Sequence, residues 1–221
     1  MKFKKIMSAV LAGAMALSMS AVAFASGNET KVTGSTEVPT INVTVPTTAA
    51  FVVNPYGLSL DHDNDNATPD VTDQIISDVA YLKSTTETAL RVTATVTGEA
   101  KGNTKLATAT TQGAKAPTTN SVFLYFEIGK ATADDGNGDP TWGTAYDAKA
   151  TNQILVAAKA TTKADVVVMD KCPDPTDADS ATIAAYRLAG DAVSAPAVAW
   201  AATDTVDVTV AFTFLPTVVT P

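Results

Sequence analysis

The sequence predicts an all-β protein, a two-sheet sandwich of jelly-roll type with short helical turns. Three observations carry this. Long stretches alternate apolar and polar residues by twos, threonine and valine dominate them, and clusters of Asp, Asn, Gly, Pro and Thr separate them. Successive side chains of a strand point to opposite faces of its sheet, so such alternation marks strands with one buried and one wet face. β-Branched side chains suit a pleated surface, and no stretch sustains a helical period.

The chain begins with a different kind of segment. Lys2, Lys4 and Lys5 precede the mostly apolar run Ile6 to Leu17, and Ala23-Phe24-Ala25 sets small residues before Ser26. This is the pattern of a secretory signal peptide over 1–25, and the run is shorter than the roughly 20 residues that span a bilayer. The expectation is a secreted protein, extracellular or at the cell surface, without membrane insertion. Cleavage after Ala25 leaves 196 of the 221 residues, with 12 basic against 23 acidic side chains and a formal charge of −11. A surface so acidic repels nucleic acid and leaves carboxylates available to divalent cations.

Residues 26–37 form a polar arm containing Gly27 and Gly34. Its β-character is concentrated in Thr30, Lys31, Val32 and Thr33. Two readings stand: a flexible remnant of processing, or a detachable donor strand that pairs with a neighbouring molecule.

A single sandwich domain is expected over 38–221. In Thr40–Val45, Ile41, Val43 and Val45 share one face. Thr72–Ala80 reads as a short helix or turn with Ile75, Ile76 and Val79 inward. Leu90–Thr97 alternates cleanly. Val122-Phe123-Leu124-Tyr125-Phe126 is apolar throughout, so a central strand covered on both faces is expected there. Ser180–Tyr186 is a second weak helical candidate. The longest alternation is Thr205–Phe214, with Val206, Val208, Val210, Phe212 and Phe214 on one face. Turn-rich stretches lie at Asp61–Asp70, Thr110–Asn120, Asp134–Gly143 and Cys172–Asp179. Cys172 is the single cysteine, so no intramolecular disulfide forms; it reads as a small buried hydrophobe or an intermolecular disulfide partner.

The chemistry that the sequence offers is sparse. In Asp61-His62-Asp63-Asn64-Asp65-Asn66, the carboxylates Asp61, Asp63 and Asp65 match the first three ligand positions of a calcium loop. Thr72 then stands where a bidentate Glu is required, so the expectation is at most a looser structural calcium site. Asp134–Asp139 has a similar composition. Trp142 and Tyr146 read as loop aromatics that either anchor a loop to the core or stack on sugar rings of a cell-wall glycan. Trp200 reads as a plug at the edge of the core. No Gly-x-Ser-x-Gly elbow, His-Glu-x-x-His helix or phosphate-binding glycine loop is present, and His62 is the only histidine. The sequence therefore predicts a non-enzyme. Leu215-Pro216-Thr217 matches a sortase signal only in part, and no hydrophobic tail follows it.

Several strings together resemble a known group. They are Val38-Pro39-Thr40-Ile41-Asn42-Val43-Thr44-Val45-Pro46, Phe51-Val52-Val53-Asn54-Pro55-Tyr56, Val122-Phe123-Leu124-Tyr125-Phe126-Glu127, and Trp200-Ala201-Ala202-Thr203-Asp204-Thr205-Val206. With the signal peptide, they resemble the exported β-sandwich surface proteins of Gram-positive bacteria, of the WxL-like and TasA/camelysin-like kind. No Trp-x-Leu motif is present, since Gly143 follows Trp142 and Ala201 follows Trp200. The resemblance implies a fibre-forming biofilm matrix protein in which the N-terminal segment of one copy completes the sandwich of the next. It places the donor within Ser26–Val45, chiefly the arm up to Glu37. The partner so implied is the chain itself, as a homopolymer. A wall- or glycan-binding module is the competing expectation.

Overall fold

Two long antiparallel strands organise the larger sheet of the computed structural model, which describes residues 40–58, 73–108, 118–131, 140–143 and 145–217. They are β7 (Asn120–Ala131) and β10 (Thr182–Val193), paired from Ile183↔Ala131 to Val193↔Ser121. On the far side of β10 lies β4 (Ala80–Ser84), and β1 (Val43–Thr44) pairs with β4. On the far side of β7, β6 (Thr104–Leu106) pairs parallel to Asn120–Val122 and β8 (Gln153–Leu155) antiparallel to Tyr125–Glu127. The second sheet has three strands in the order β11 (Val206–Pro216), β5 (Leu90–Ala100) and β9 (Thr161–Met169). β2 (Phe51–Val53) and β3 (Ile75–Ser77) form a small antiparallel pair beside β10.

The core lies between the two sheets. Leu90, Val92, Ala94 and Val96 of β5 are fully buried, as are Leu124, Phe126 and Ile128 of β7 and Leu82 of β4. Each large aliphatic or aromatic side chain so buried stabilises the fold by about 2 kcal/mol. The alternation legible in Leu90–Thr97 and Thr205–Phe214 is thus the alternation of β5 and β11, and the chain is the all-β sandwich expected. β7 is buried on its outer face too, at Phe123, Tyr125 and Glu127. That is why its sequence is apolar without interruption. Close approach also fixes a glycine: at Gly190 (φ +152°) a Cβ would overlap the Phe123 carbonyl on the paired strand.

Three expectations are corrected. Over the described part of Thr72–Ala80, residues 73–80, no helical turn forms: Ile75–Ser77 is β3 and Ala80 opens β4. Ile75 and Ile76 are both buried, which an extended chain achieves by sending them to opposite sides while β2 takes the backbone bonds. Over Ser180–Tyr186 only one short turn forms, Ala178–Ser180. Asp177 caps it by accepting from the Asp179 amide, and β10 begins at Thr182. Paired with both β4 and β7, those residues gain more as a central strand than as an isolated helix. The strand expected over Thr40–Val45 contracts to Val43–Thr44, leaving Ile41 and Val45 exposed, because β1 pairs only with Lys83 and Ser84 of β4. Among the described residues no helix is long and apolar enough to cross a membrane.

Candidate functional site

The strand Val206–Pro216 sits at one edge of the three-stranded sheet, paired with β5 along its full length, from Val206↔Ala100 to Pro216↔Leu90. No strand pairs with its other side among the described residues. An edge strand presents a row of backbone donors and acceptors, and proteins ordinarily blunt such edges with charge, proline, bulges or short length. The opposite edge of the same sheet shows this protection. Between Val92↔Val167 and Ala94↔Lys163 the register of β9 shifts through a bulge that contains Asp165, which has a positive φ of 53°. Lys163 of β9 reaches back to the carbonyls of Ala148, Ala150 and Gln153 at 3.1, 2.6 and 2.7 Å. β11 carries Asp207 and Pro216 at its two ends and no such device between them. From Val208 to Leu215 it contains no charge, no proline and no glycine.

The inner face of β11 is also incompletely covered. Val208, Val210, Phe212 and Phe214 pack against the core yet remain half-buried, whereas the inward residues of neighbouring β5 are sealed. Phe212 lies 5.3 Å from the Tyr186 ring and 6.0 Å from Phe126. Next to them a cleft of about 250 Å³ opens between the sheets, lined by Val208, Val210, Phe126, Tyr186 and Leu188 and closed off by the segment 46–51. An unpaired edge beside a cleft with apolar side chains along it is the geometry that accepts one more strand: backbone groups bond along the edge and alternate side chains enter the cleft.

The outer face of the larger sheet holds a second cluster, built on Glu127. Its carboxylate, almost fully buried, accepts from the Gly143 amide at 2.8 Å, from Gln153 Nε2 at 2.8 Å and from Arg187 Nη2 at 3.4 Å. The Arg187 guanidinium lies 4.6 Å above the Trp142 ring. Tyr146 packs on Phe123 and Tyr125, with ring centroids at 5.6 and 5.4 Å, and burial pushes its phenol pKa up. Both aromatics singled out in the sequence therefore have contacts that anchor the 140–150 segment to the sheet.

The other sequence-predicted sites fall elsewhere. Thr30, Lys31, Val32 and Thr33 lie outside the described residues, as do Asp61, Asp63, Asp65 and the stretch 134–139. The stems of the acidic loop are visible. Buried Asn54 donates to the carbonyls of Leu58 and Asp73 and accepts from the Leu58 amide, so one side chain clasps both ends. Among the described residues no group of three His, Cys, Asp or Glu side chains converges. Cys172 is buried, its thiol directed at the carbonyls of Asp174 and Ser180, and Trp200 packs against the core with its indole N–H donating to Ser194. The open edge was missed in the sequence because alternation marks a strand and its faces, not its neighbours. The signal available was the uncharged run Val208–Leu215. Compared with known proteins, the chain matches no family model, no curated sequence and no solved structure.

Proposed function

We propose that this chain is a secreted structural protein of the cell surface or extracellular matrix that assembles into fibres. In this reading the N-terminal arm of one copy, through Thr30–Thr33, adds as a strand to the sandwich of the next. The observation that carries it is β11: eleven residues paired on one side only, free of charge and proline from Val208 to Leu215, beside a cleft to which Val208, Val210, Phe126, Tyr186 and Leu188 contribute apolar side chains. A donated strand would bond to the exposed backbone row and cover the half-buried Val208, Val210, Phe212 and Phe214. Donor and acceptor are different surfaces, so the contact is heterologous and propagates as an open filament. The export pattern of residues 1–25 and the resemblance to fibre-forming surface proteins agree with this reading. The Trp142 and Tyr146 contacts favour loop anchoring over sugar stacking, so the glycan-binding alternative gains no support from them.

The mature protein and a form lacking Ser26–Glu37 provide the test. Sedimentation and electron microscopy should show filaments for the first, and for the second a folded monomer with an unchanged β-sheet spectrum. Filaments of equal length and abundance from the truncated form would contradict the role of the arm.

A further inference from the structure

We infer that the open edge has a second use: β11 of one molecule pairs antiparallel with β11 of another, about a twofold axis at Ala211, in a dimer that masks the edge. The masking role rests on the fibre reading above; the pairing itself rests on the strand alone. Contacts with β5 fix which backbone groups are free. Lys101 donates its amide to the Thr205 carbonyl at 2.8 Å, and Thr217 donates its own to the Ala89 carbonyl at 2.7 Å. Odd-numbered residues of this stretch therefore bond to β5. Bonding residues alternate along an unbroken antiparallel ladder, so Val206, Val208, Val210, Phe212 and Phe214 point their N–H and C=O groups away from it. All but Val206 are also the half-buried side chains of the inner face.

Read backwards, the strand is complementary to itself. A partner whose free groups meet these free groups must pair even-numbered with even-numbered residues, and full overlap of Val206–Pro216 then centres the axis on Ala211. On the inner face Val210 meets Phe212 of the second copy, and Val208 meets its Phe214. On the outer face Thr209 meets Thr213, and Ala211 meets itself where the two chains come closest. Aromatic with β-branched and threonine with threonine are favourable cross-strand pairs. Sliding by one residue turns one copy's free groups against groups already bonded to β5. Sliding by two shortens the ladder and breaks the threonine pairs. Charge selects the same orientation. Glu99 and Asp207 face each other at one end of the outer face, and Leu215 faces Arg91 at the other. The axis brings the acidic end of each copy beside the basic end of its partner, whereas a parallel alignment would set Asp207 against Asp207. Lys101 already bonds to Asp207, and Asp165 lies 3.5 Å from Arg91, so these charges orient the dimer more than they hold it.

A second copy also closes what a lone peptide would leave open. Pairing satisfies both exposed rows at once and creates no new edge, so the contact is isologous and assembly stops at two molecules. Side chains that are half-buried in one molecule gain cover from their counterparts across the junction. Dilute protein is monomeric and pairs as it is concentrated. In the dimer β11 is occupied, so an incoming arm must displace the second copy before a filament can grow.

Cysteine variants of the mature protein provide the test. Ala211 is exposed on the outer face, and across the axis its Cα lies about 4.5 Å from its counterpart, within disulfide range. Ala211→Cys, Thr209→Cys and Thr213→Cys, each checked for the parent's β-sheet spectrum, are oxidised while still unassembled. Products are run on a non-reducing gel beside the unsubstituted protein, which controls for Cys172. Ala211→Cys should form a linked dimer roughly tenfold or more faster than Thr213→Cys alone, whose counterpart faces Thr209 instead. A mixture of Thr209→Cys and Thr213→Cys should link as quickly as Ala211→Cys. Electron microscopy of the locked Ala211→Cys dimer should show no filaments until a reductant is added. Equal rates for Ala211→Cys and Thr213→Cys would overturn the pairing. Filaments grown from the locked dimer would overturn its hold on the edge. Neither failure touches the arm's role, which the deletion of Ser26–Glu37 tests separately.

Discussion

Asp204 shows how much of this fold depends on single carboxylates in turns. It accepts from the amides of Asn103 at 2.7 Å and Ala201 at 3.0 Å, joining the β5–β6 turn to the loop that leads into β11. Gly102 in that turn has a φ of +71°, and a side chain there would strike the Asp204 carboxylate. The Asn103 amide, and then the Ala201 amide, hold the Asp204 carboxyl below its ordinary value of 3.8. A group whose pKa is depressed by folding stabilises above the ordinary value, and that contribution fades as the pH falls through the depressed one. Thermal melts should therefore show Asp204→Ala melting below the parent protein at neutral pH, with the gap closing well under pH 3.8. A gap that persists in acid would assign the effect to lost packing. Glu127 is a contrasting case at the same scale. Its charge at the end of an apolar run was visible in the sequence, but the donors that satisfy it come from three distant segments, which no local pattern reveals.

Among the elements, β5, β7 and β11 were legible because each carries its burial pattern in its own residues. Alternation marked the strands with one wet face, and the continuous run Val122–Phe126 marked the strand covered twice. β6 and β8 escaped notice, since three residues each are too few for a period to register. β9 was obscured by its bulge, which breaks the alternation at Asp165. Of the candidate site, the face of β11 could be read, whereas the open edge depends on what lies next to β11 and so required the fold. A charge pointing inward from an edge strand is a natural guard against strand addition. Val210→Lys places one at the mouth of the cleft, where Val210 is half-buried. It should cost about 1–2 kcal/mol of stability while leaving a folded monomer. Filament yield by sedimentation should fall by an order of magnitude or more. Undiminished filaments from a folded Val210→Lys protein would remove β11 as the acceptor.

At the scale of the whole molecule, the sandwich is closed along one flank and open along the other. Across the closed flank β8 approaches β9 and β6 approaches β5. Along the open flank lie β11, the segment 46–51 and a β1 of two residues. Among the described residues this flank combines the unpaired backbone of β11 with the incompletely covered side chains Val208, Val210, Phe212 and Phe214, the combination that a strand from another molecule can complete. Amide hydrogen exchange along Val206–Pro216, recorded on dilute monomer and again after concentration, addresses that claim most directly. Amides of β11 that point away from β5 should exchange rapidly in the monomer and become protected by at least tenfold on assembly. Assembled material in which those amides exchange as fast as before, or a concentrated sample that never assembles, would contradict it.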